Sequence, residues 1–160
     1  MDSILKILDK EQGMIDVAKI ARELGKSADE VATQIKEFEK NHIIVGYKTI
    51  VNWEKTDRDV VTALIDLRVT PQRGEGFDKV AERIYKYPQV RSLYLMSGAY
   101  DLHLVIEGRT MREVSQFVAA KLASLESILS TSTHFVLKKY KDKGVIYGTD
   151  NQDERGNCMI

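Results

Sequence analysis

The chain has 160 residues, of which 43% are hydrophobic and 30% are charged, and its 24 Lys and Arg balance its 24 Asp and Glu. This composition is typical of a folded globular protein and excludes an intrinsically disordered chain. Because the formal net charge is zero, no overall positive charge draws the chain to nucleic acid or to an anionic membrane, and any such contact must come from a local patch.

The sequence carries no signal for export or for membrane insertion. Its first residues, MDSILKILDKEQG, include acidic side chains and too short an apolar run for a signal peptide. No stretch reaches the roughly 20 apolar residues of a membrane span. The one cysteine, Cys158, has no partner for an intramolecular disulfide. We therefore expect a cytoplasmic protein that makes no contact with a membrane.

Three short helices are predicted at the N-terminal end. Hydrophobic residues at helical spacing predict a helix over 2–10, and Asp16 caps a second helix that Gly25 ends. Ser27 and Glu30 form a capping box at the start of a third helix. The predicted apolar stripes of the second and third helices are Val17, Ala18, Ala21 and Leu24, and Val31, Ile35 and Phe38. Two short helices around a glycine turn are typical of a helix-turn-helix, although unrelated domains contain such pairs too.

The pattern then changes from helical spacing to β-branched residues. These residues predict an extended ribbon over 43–51, and the polar stretch over 54–59 predicts a domain boundary. Six elements follow, with strands predicted over 60–70, 90–96, 102–107 and 128–138 and helices over 77–86 and 111–124. This order of elements predicts a four-stranded antiparallel sheet with both helices on one side, the ferredoxin-like arrangement.

The predicted fold class is therefore α+β, with an N-terminal helix-turn-helix domain of the winged type joined by a β-ribbon linker to a ferredoxin-like βαββαβ domain. The predicted ranges are 1–50 for the helix-turn-helix domain, 51–59 for the linker, 60–147 for the ferredoxin-like domain and 148–160 for a disordered tail. The strands over 60–69 and 90–96 carry apolar residues on both sides of the sheet. Because the helices cover only one side, we expect a second copy to cover the other side in a homodimer.

The sequence offers no set of catalytic residues and no group of metal ligands. His42, His103 and His134 are scattered, and the single cysteine is terminal. The stretch Arg73-Gly74-Glu75-Gly76 lacks the lysine and the serine or threonine of a phosphate-binding loop. Nothing in the sequence brings a serine and a histidine together for a hydrolytic triad. We therefore do not expect an enzyme.

Four sequence features occur together in one order. They are a helix-turn-helix that ends in Asn-His-Ile-Ile-Val-Gly-Tyr at 41–47, the β-ribbon linker, the βαββαβ order, and Ser-Gly-Ala-Tyr-Asp at 97–101 between the second and third strands. In this combination the chain resembles, over nearly its whole length, the leucine-responsive and asparagine-responsive regulators of bacteria and archaea, the Lrp/AsnC family. The family motif of a glycine, a variable residue, an aromatic residue and an aspartate is present as Gly98, Ala99, Tyr100 and Asp101.

The resemblance implies a transcription regulator that binds operator DNA as a dimer. Its C-terminal domain, often called RAM in this family, would form the homodimer, which commonly assembles into tetramers or octamers. An amino acid or related metabolite would bind between dimers as the effector, and no cofactor is implied. The implied effector-binding residues are Gly98, Ala99, Tyr100, Asp101, Thr131 and Thr133, with Asp101 binding the ammonium group. The same residues also have a structural interpretation, as hairpin residues and as the polar alternation of a strand.

The third helix departs from the family pattern, which has several arginines after the serine cap. Here the stretch over 32–37 holds one lysine, and basic residues are about balanced by acidic ones within 1–50, so the nonspecific attraction to phosphates is small. The domain either binds double-stranded DNA modestly or has taken a protein-protein role, which would leave a metabolite-binding oligomer with weak or lost DNA binding. We favour the DNA-binding role, because a dimer or larger assembly binds DNA through several weak sites at once and so gains avidity. The expected phosphate contacts are Lys19, Arg22, Lys26, Lys36, Lys40 and Lys48, and the expected base contacts are Ser27, Thr33 and Gln34.

Overall fold

The computed structural model describes residues 3–10, 15–70 and 76–147. The chain divides after Val51 into two compact units. The predicted tail over 148–160, with Cys158, and most of the stretch over 73–76 lie outside the described residues. Among the helices that are described, none is long and apolar enough to cross a membrane.

The N-terminal unit contains the three predicted helices, α1 (Ser3–Lys10), α2 (Val17–Leu24) and α3 (Ala28–Lys40). The Asp16 side chain accepts a hydrogen bond from the backbone N–H of Lys19 at 3.0 Å and so caps α2. Gly25 ends α2 with a left-handed φ of 63°, a conformation that glycine adopts without a steric penalty. Ser27 and Glu30 form the predicted capping box of α3.

One position in the predicted apolar stripe of α2 is wrong. Ala18 is exposed, whereas Ile20 is fully buried in the core of this unit together with Ala21. Positions 17, 20, 21 and 24 follow the spacing of one helix face, and position 18 lies outside that face. On α3, Val31 and Ile35 are buried as predicted.

The segment that follows α3 is not a paired ribbon in the single chain. The N–H groups of Ile43 and Ile44 donate to the Phe38 carbonyl at 2.8 and 3.1 Å, which ends the helical part. Residues 45–52 form no helix and pair with no strand of the described chain, and the Val45 side chain is 88% exposed. The β-ribbon therefore remains a prediction that needs a partner strand.

The C-terminal unit is a four-stranded antiparallel sheet with helices on one side, which confirms the predicted α+β, ferredoxin-like fold class. Its main elements are β1 (Val61–Val69), α4 (Gly76–Tyr85), β2 (Val90–Leu95), β3 (Leu102–Gly108), α5 (Met111–Phe117) and β4 (Ile128–Phe135). The strand order is β2-β3-β1-β4.

Two smaller elements of this unit were not predicted, and the end of the helix predicted over 111–124 takes a π-helical form that was not predicted. A single 3-10 turn over Trp53–Lys55 lies inside the range assigned to the linker. Helix α5 continues as a π-helical turn over Val118–Leu122, and a short hairpin of β5 (Lys141–Asp142) and β6 (Val145–Ile146) follows β4. These elements are short, and no periodic pattern in the sequence marks them.

The two sides of the sheet differ in polarity. The core beneath the helices includes Ile65, Leu67, Ile84, Leu104, Ile106, Val114 and Leu122. On the helix-free side, Leu64 and Asp66 of β1 pair with Val105 and His103 of β3. Arg68 of β1 lies on the same side, so the prediction of an apolar second side is wrong for most of its positions. The error arises because apolar residues were counted along each strand without assigning alternate residues to opposite sides.

Candidate functional site

The helix-turn-helix presents α3 with one buried and one exposed side. Val31 and Ile35 face the core, and the opposite side exposes Asp29, Thr33, Lys36, Glu37 and Lys40. Residues 1–51 hold eight Lys and Arg against nine Asp and Glu. The exposed side of α3 can therefore offer a hydroxyl and two ammonium groups to DNA, but the surrounding charge adds little attraction for phosphates.

Four of the predicted DNA contacts form side-chain hydrogen bonds within the domain, and one of them is Arg22, whose Nε donates to the Ala18 carbonyl at 3.3 Å. The Ser27 hydroxyl accepts from the Glu30 N–H at 3.2 Å and donates to Glu30 Oε2 at 2.9 Å. Lys26 Nζ donates to Gln34 Oε1 at 3.1 Å. A base contact by the Ser27 hydroxyl or by Gln34 Oε1 would therefore compete with a hydrogen bond that already exists, whereas the Gln34 amide N–H groups are not used in the bond to Lys26. The other predicted DNA contacts, Lys19, Thr33, Lys36, Lys40 and Lys48, are exposed.

The capping box also fixes a negative charge at the start of α3. The pKa of the Glu30 carboxyl is lowered from its usual 4.5, chiefly because the Ser27 backbone N–H donates to it, and further because the Ser27 hydroxyl does. The backbone bond measures 2.8 Å. The helix dipole favours a carboxylate at this end, so Glu30 stays charged where a DNA phosphate would approach the first turn of α3.

The turn over 97–101 is fastened to strand β1 through three consecutive residues. The Asp101 N–H donates to the Leu67 carbonyl at 2.9 Å. The Val69 N–H donates to Asp101 Oδ2 at 2.7 Å. Between them, Arg68 Nε donates to the Ala99 carbonyl at 2.9 Å. The half-buried Asp101 carboxylate is therefore held in one orientation, and part of its capacity as an acceptor serves the backbone.

Arg68 is a residue of this site that sequence reasoning missed. Its guanidinium lies 5.9 Å from the centroid of the Tyr100 ring. The alternation of β1 indicates that Arg68 points away from the core, but the residue lies 31 positions before Ala99. Only the pairing of β1 with β3 brings the two together, and the sequence does not state that register.

A glycine is usually needed for a left-handed φ or for lack of space for a Cβ atom, and neither reason applies to Gly98 within this chain. Its φ lies outside the left-handed region, and a Cβ atom built on it has no other atom within 4 Å. As a hairpin residue, Gly98 would be expected to have a positive φ, and that expectation is wrong. The space beside its backbone is open to a molecule outside the chain.

Thr131 and Thr133 do not lie beside the turn within one chain. They pair with Leu67 and Ile65 and are half-buried on the helix-covered side of the sheet. Strand β1 separates β4 from β3, so two strand spacings, about 10 Å, lie between Thr131 and the start of β3. The structure thus brings Ala99, Tyr100 and Asp101 together with Arg68 but leaves these two hydroxyls apart.

A polar cluster lies on the helix-free side of the sheet. His103 Nδ1 contacts Asp66 Oδ1 at 2.7 Å, and His134 Nε2 lies 3.6 Å from Asp66 Oδ2. The Ser132 hydroxyl is 3.1 Å from the same Nε2 atom. A hydrolytic triad uses one histidine nitrogen for the serine and the other for the acid, so this arrangement does not match one. Within the described ranges, no group of three or more acidic, histidine or cysteine side chains could hold a metal ion.

Sequence comparisons connect both units to one family of regulators. The profile of the Lrp/AsnC ligand binding domain matches residues 62–146. Bacillus subtilis YugG, which is named an uncharacterized HTH-type transcriptional regulator, is 49% identical over 153 residues, covering 95% of this chain and 92% of that protein. The HTH-type transcriptional regulator LrpA of Pyrococcus horikoshii is 29% identical over 138 residues, covering 86% of this chain and 94% of that protein.

Solved structures share the fold at lower identity. Escherichia coli AsnC matches with a TM-score of 0.64 and 19% identity, over 85% of this chain and 89% of that one. The complex of the transcriptional regulator NMB0573 from Neisseria meningitidis with L-Met matches with a TM-score of 0.70 and 22% identity, over 89% of this chain and 93% of that one.

Proposed function

Because the chain belongs to the Lrp/AsnC family of DNA-binding transcription regulators, we propose that an amino acid binds beside the 97–101 turn of its C-terminal domain and thereby changes how the protein binds DNA. The family match supports a ligand-binding role for residues 62–146 as a whole. NMB0573, a protein of the same fold, was solved as a complex with L-Met. Relatives named as HTH-type regulators disfavour the alternative of a metabolite-binding oligomer that has lost its DNA.

The observation that carries this proposal is the fixed orientation of Asp101. Its Oδ2 atom accepts the Val69 N–H at 2.7 Å. Among the described residues, no lysine or arginine forms a salt bridge with this carboxylate. The ammonium group of an amino acid would supply the missing positive charge, through a charge-assisted hydrogen bond of about 1.5–3 kcal/mol.

The substitution Asp101→Asn tests the effector site. Asparagine retains an oxygen for the Val69 N–H but removes the negative charge, so the fold is kept while the ammonium contact is lost. We expect calorimetry with free L-amino acids to give at least about tenfold weaker binding to the variant than to the wild type. An unchanged melting temperature of the variant is the control. Equal affinity in both proteins would show that the effector does not bind at Asp101.

Assembly provides the link between the effector and DNA in this proposal. The protein forms a homodimer through its C-terminal domain, and dimers associate further into a tetramer or octamer. An amino acid that bridges two dimers stabilises the assembly that holds the helix-turn-helix domains at a given spacing. It changes DNA affinity only to the extent that it prefers that assembly over others.

On the DNA side, α3 enters the groove through its exposed face. Thr33 is its proposed base contact and Lys36 and Lys40 are its proposed phosphate contacts, because their side chains are exposed. Lys19, Arg22, Lys26 and Lys48 remain proposed phosphate contacts. Ser27 and Gln34 act in the first place within the domain, as a cap and as the acceptor for Lys26.

A further inference from the structure

We infer that Arg68 binds the carboxylate of the effector, so that the turn recognises the complete zwitterion of an amino acid with a defined polarity. This inference rests on the proposed function and adds a second charged contact to it. Arg68 would contact the carboxylate, and Asp101 would contact the ammonium group.

The position of Arg68 is fixed by the same strand that fixes Asp101. Leu67 and Val69 hold the backbone and the side chain of Asp101 through hydrogen bonds of 2.9 and 2.7 Å. Arg68 lies between them in the chain, and its Nε atom donates to the Ala99 carbonyl at 2.9 Å. The guanidinium is therefore held beside the turn and does not move freely in solvent.

The contact with Ala99 uses the Nε–H group, so the N–H groups on the outer edge of the guanidinium can donate to other acceptors. Arginine has five N–H donors in a planar fork, and a carboxylate can accept two of them in parallel. Within the described ranges, no aspartate or glutamate forms a salt bridge with Arg68. Most arginines on a protein surface make only weak ion pairs, but this one is pre-oriented by the Ala99 carbonyl and the Tyr100 ring.

The turn thus presents one cation and one anion, and neither is paired with an opposite charge from the described chain. Gly98, in the same turn, has open space beside its backbone. A ligand that carries both charges on one carbon satisfies both side chains, as an α-amino acid does. An amine without a carboxylate, or an acid without an amine, satisfies only one.

The test compares an amino acid with its own amide, which keeps the ammonium group and loses the negative charge. A thermal-shift screen of the full-length protein with the twenty common L-amino acids selects the strongest binder, and calorimetry then measures that amino acid and its α-carboxamide. We expect the wild type to prefer the amino acid by at least about tenfold. In Arg68→Gln the affinity for the amino acid should fall to that for the amide, while the affinity for the amide stays unchanged.

Two further variants separate a binding role of Arg68 from a structural one. Arg112→Gln makes the same chemical change on the exposed face of α5 and should retain the wild-type preference. Arg68→Lys keeps the positive charge but lacks the planar fork, so it should retain part of the preference for the amino acid over the amide.

Three results would overturn the inference. Equal wild-type affinity for amino acid and amide would overturn it while leaving the proposed function intact. If Arg68→Gln binds neither the amino acid nor the amide, Arg68 only shapes the turn. Failure of all twenty amino acids to bind the wild type would overturn the inference together with the proposed function.

Discussion

Among single residues, Glu30 combines a structural role with an electrostatic one. Its carboxylate accepts the backbone N–H and the hydroxyl of Ser27, and these bonds lower its pKa from 4.5. Because the pKa in the folded state is lower than in the unfolded chain, the capping box stabilises the folded unit above pH 4.5. That contribution is lost as the pH falls through the lowered, folded-state value.

An NMR titration of the Glu30 side chain tests this account. We expect a pKa below 4.5 in the wild type. In Ser27→Ala the hydroxyl is absent but the backbone N–H, which has the larger effect, remains, so the pKa should rise only part of the way. A wild-type pKa at or above the usual value would contradict the capping box as the cause.

Among the elements, α3 is the one that we propose to contact DNA. The substitution Lys36→Ala removes one exposed ammonium group, so binding should weaken about equally for every DNA sequence. The slope of log affinity against log salt should fall by about 1. Fluorescence anisotropy with a DNA fragment from upstream of its own gene, at several salt concentrations, measures both quantities. Lys121→Ala, on the π-helical turn of the other unit, is the control, and an unchanged slope in Lys36→Ala would mean that Lys36 does not contact a phosphate.

Elements with local signals could be predicted from the sequence, and features set by register could not. Asp16, Gly25 and the Ser27–Glu30 pair mark helix ends through bonds to neighbours within four residues, so their effect is visible in the sequence. The contact between Arg68 and Ala99 depends on how β1 pairs with β3 across 31 positions. The polarity of the helix-free side is a different case, because alternation within β1 places Asp66 and Arg68 on one side whatever the register.

At the scale of the whole molecule, the helix-free side of the sheet is the surface that we propose for the homodimer. Leu64 and Val105 are paired neighbours at half-buried positions there. Asp66 lies beside them, and its carboxylate already contacts His103 and His134 before another copy arrives. A surface of this kind combines an apolar centre with a satisfied polar surround, as protein interfaces do.

The substitution Leu64→Asp should therefore convert the assembly to smaller species. It places a charge at the centre of the proposed interface, next to the existing charge of Asp66, where burial would be costly. Light scattering at matched concentrations measures the mass, and circular dichroism checks that the fold is kept. Leu137→Asp, at a 79% exposed position after β4, is the comparison variant. A Leu64→Asp protein that keeps the wild-type mass would exclude this side as the interface.

The fastening of the 97–101 turn to β1 has a kinetic consequence. A loop that must order before it can hold a ligand adds a slow step and an entropic cost to every encounter. Here the backbone of the turn and the Asp101 side chain are already held by strand β1, so the proposed effector needs no ordering of the turn before it binds. Differences among amino acids then lie mainly in their rates of departure. For the proposed effector, the residence time rather than the frequency of collisions would therefore set how long a regulatory signal persists.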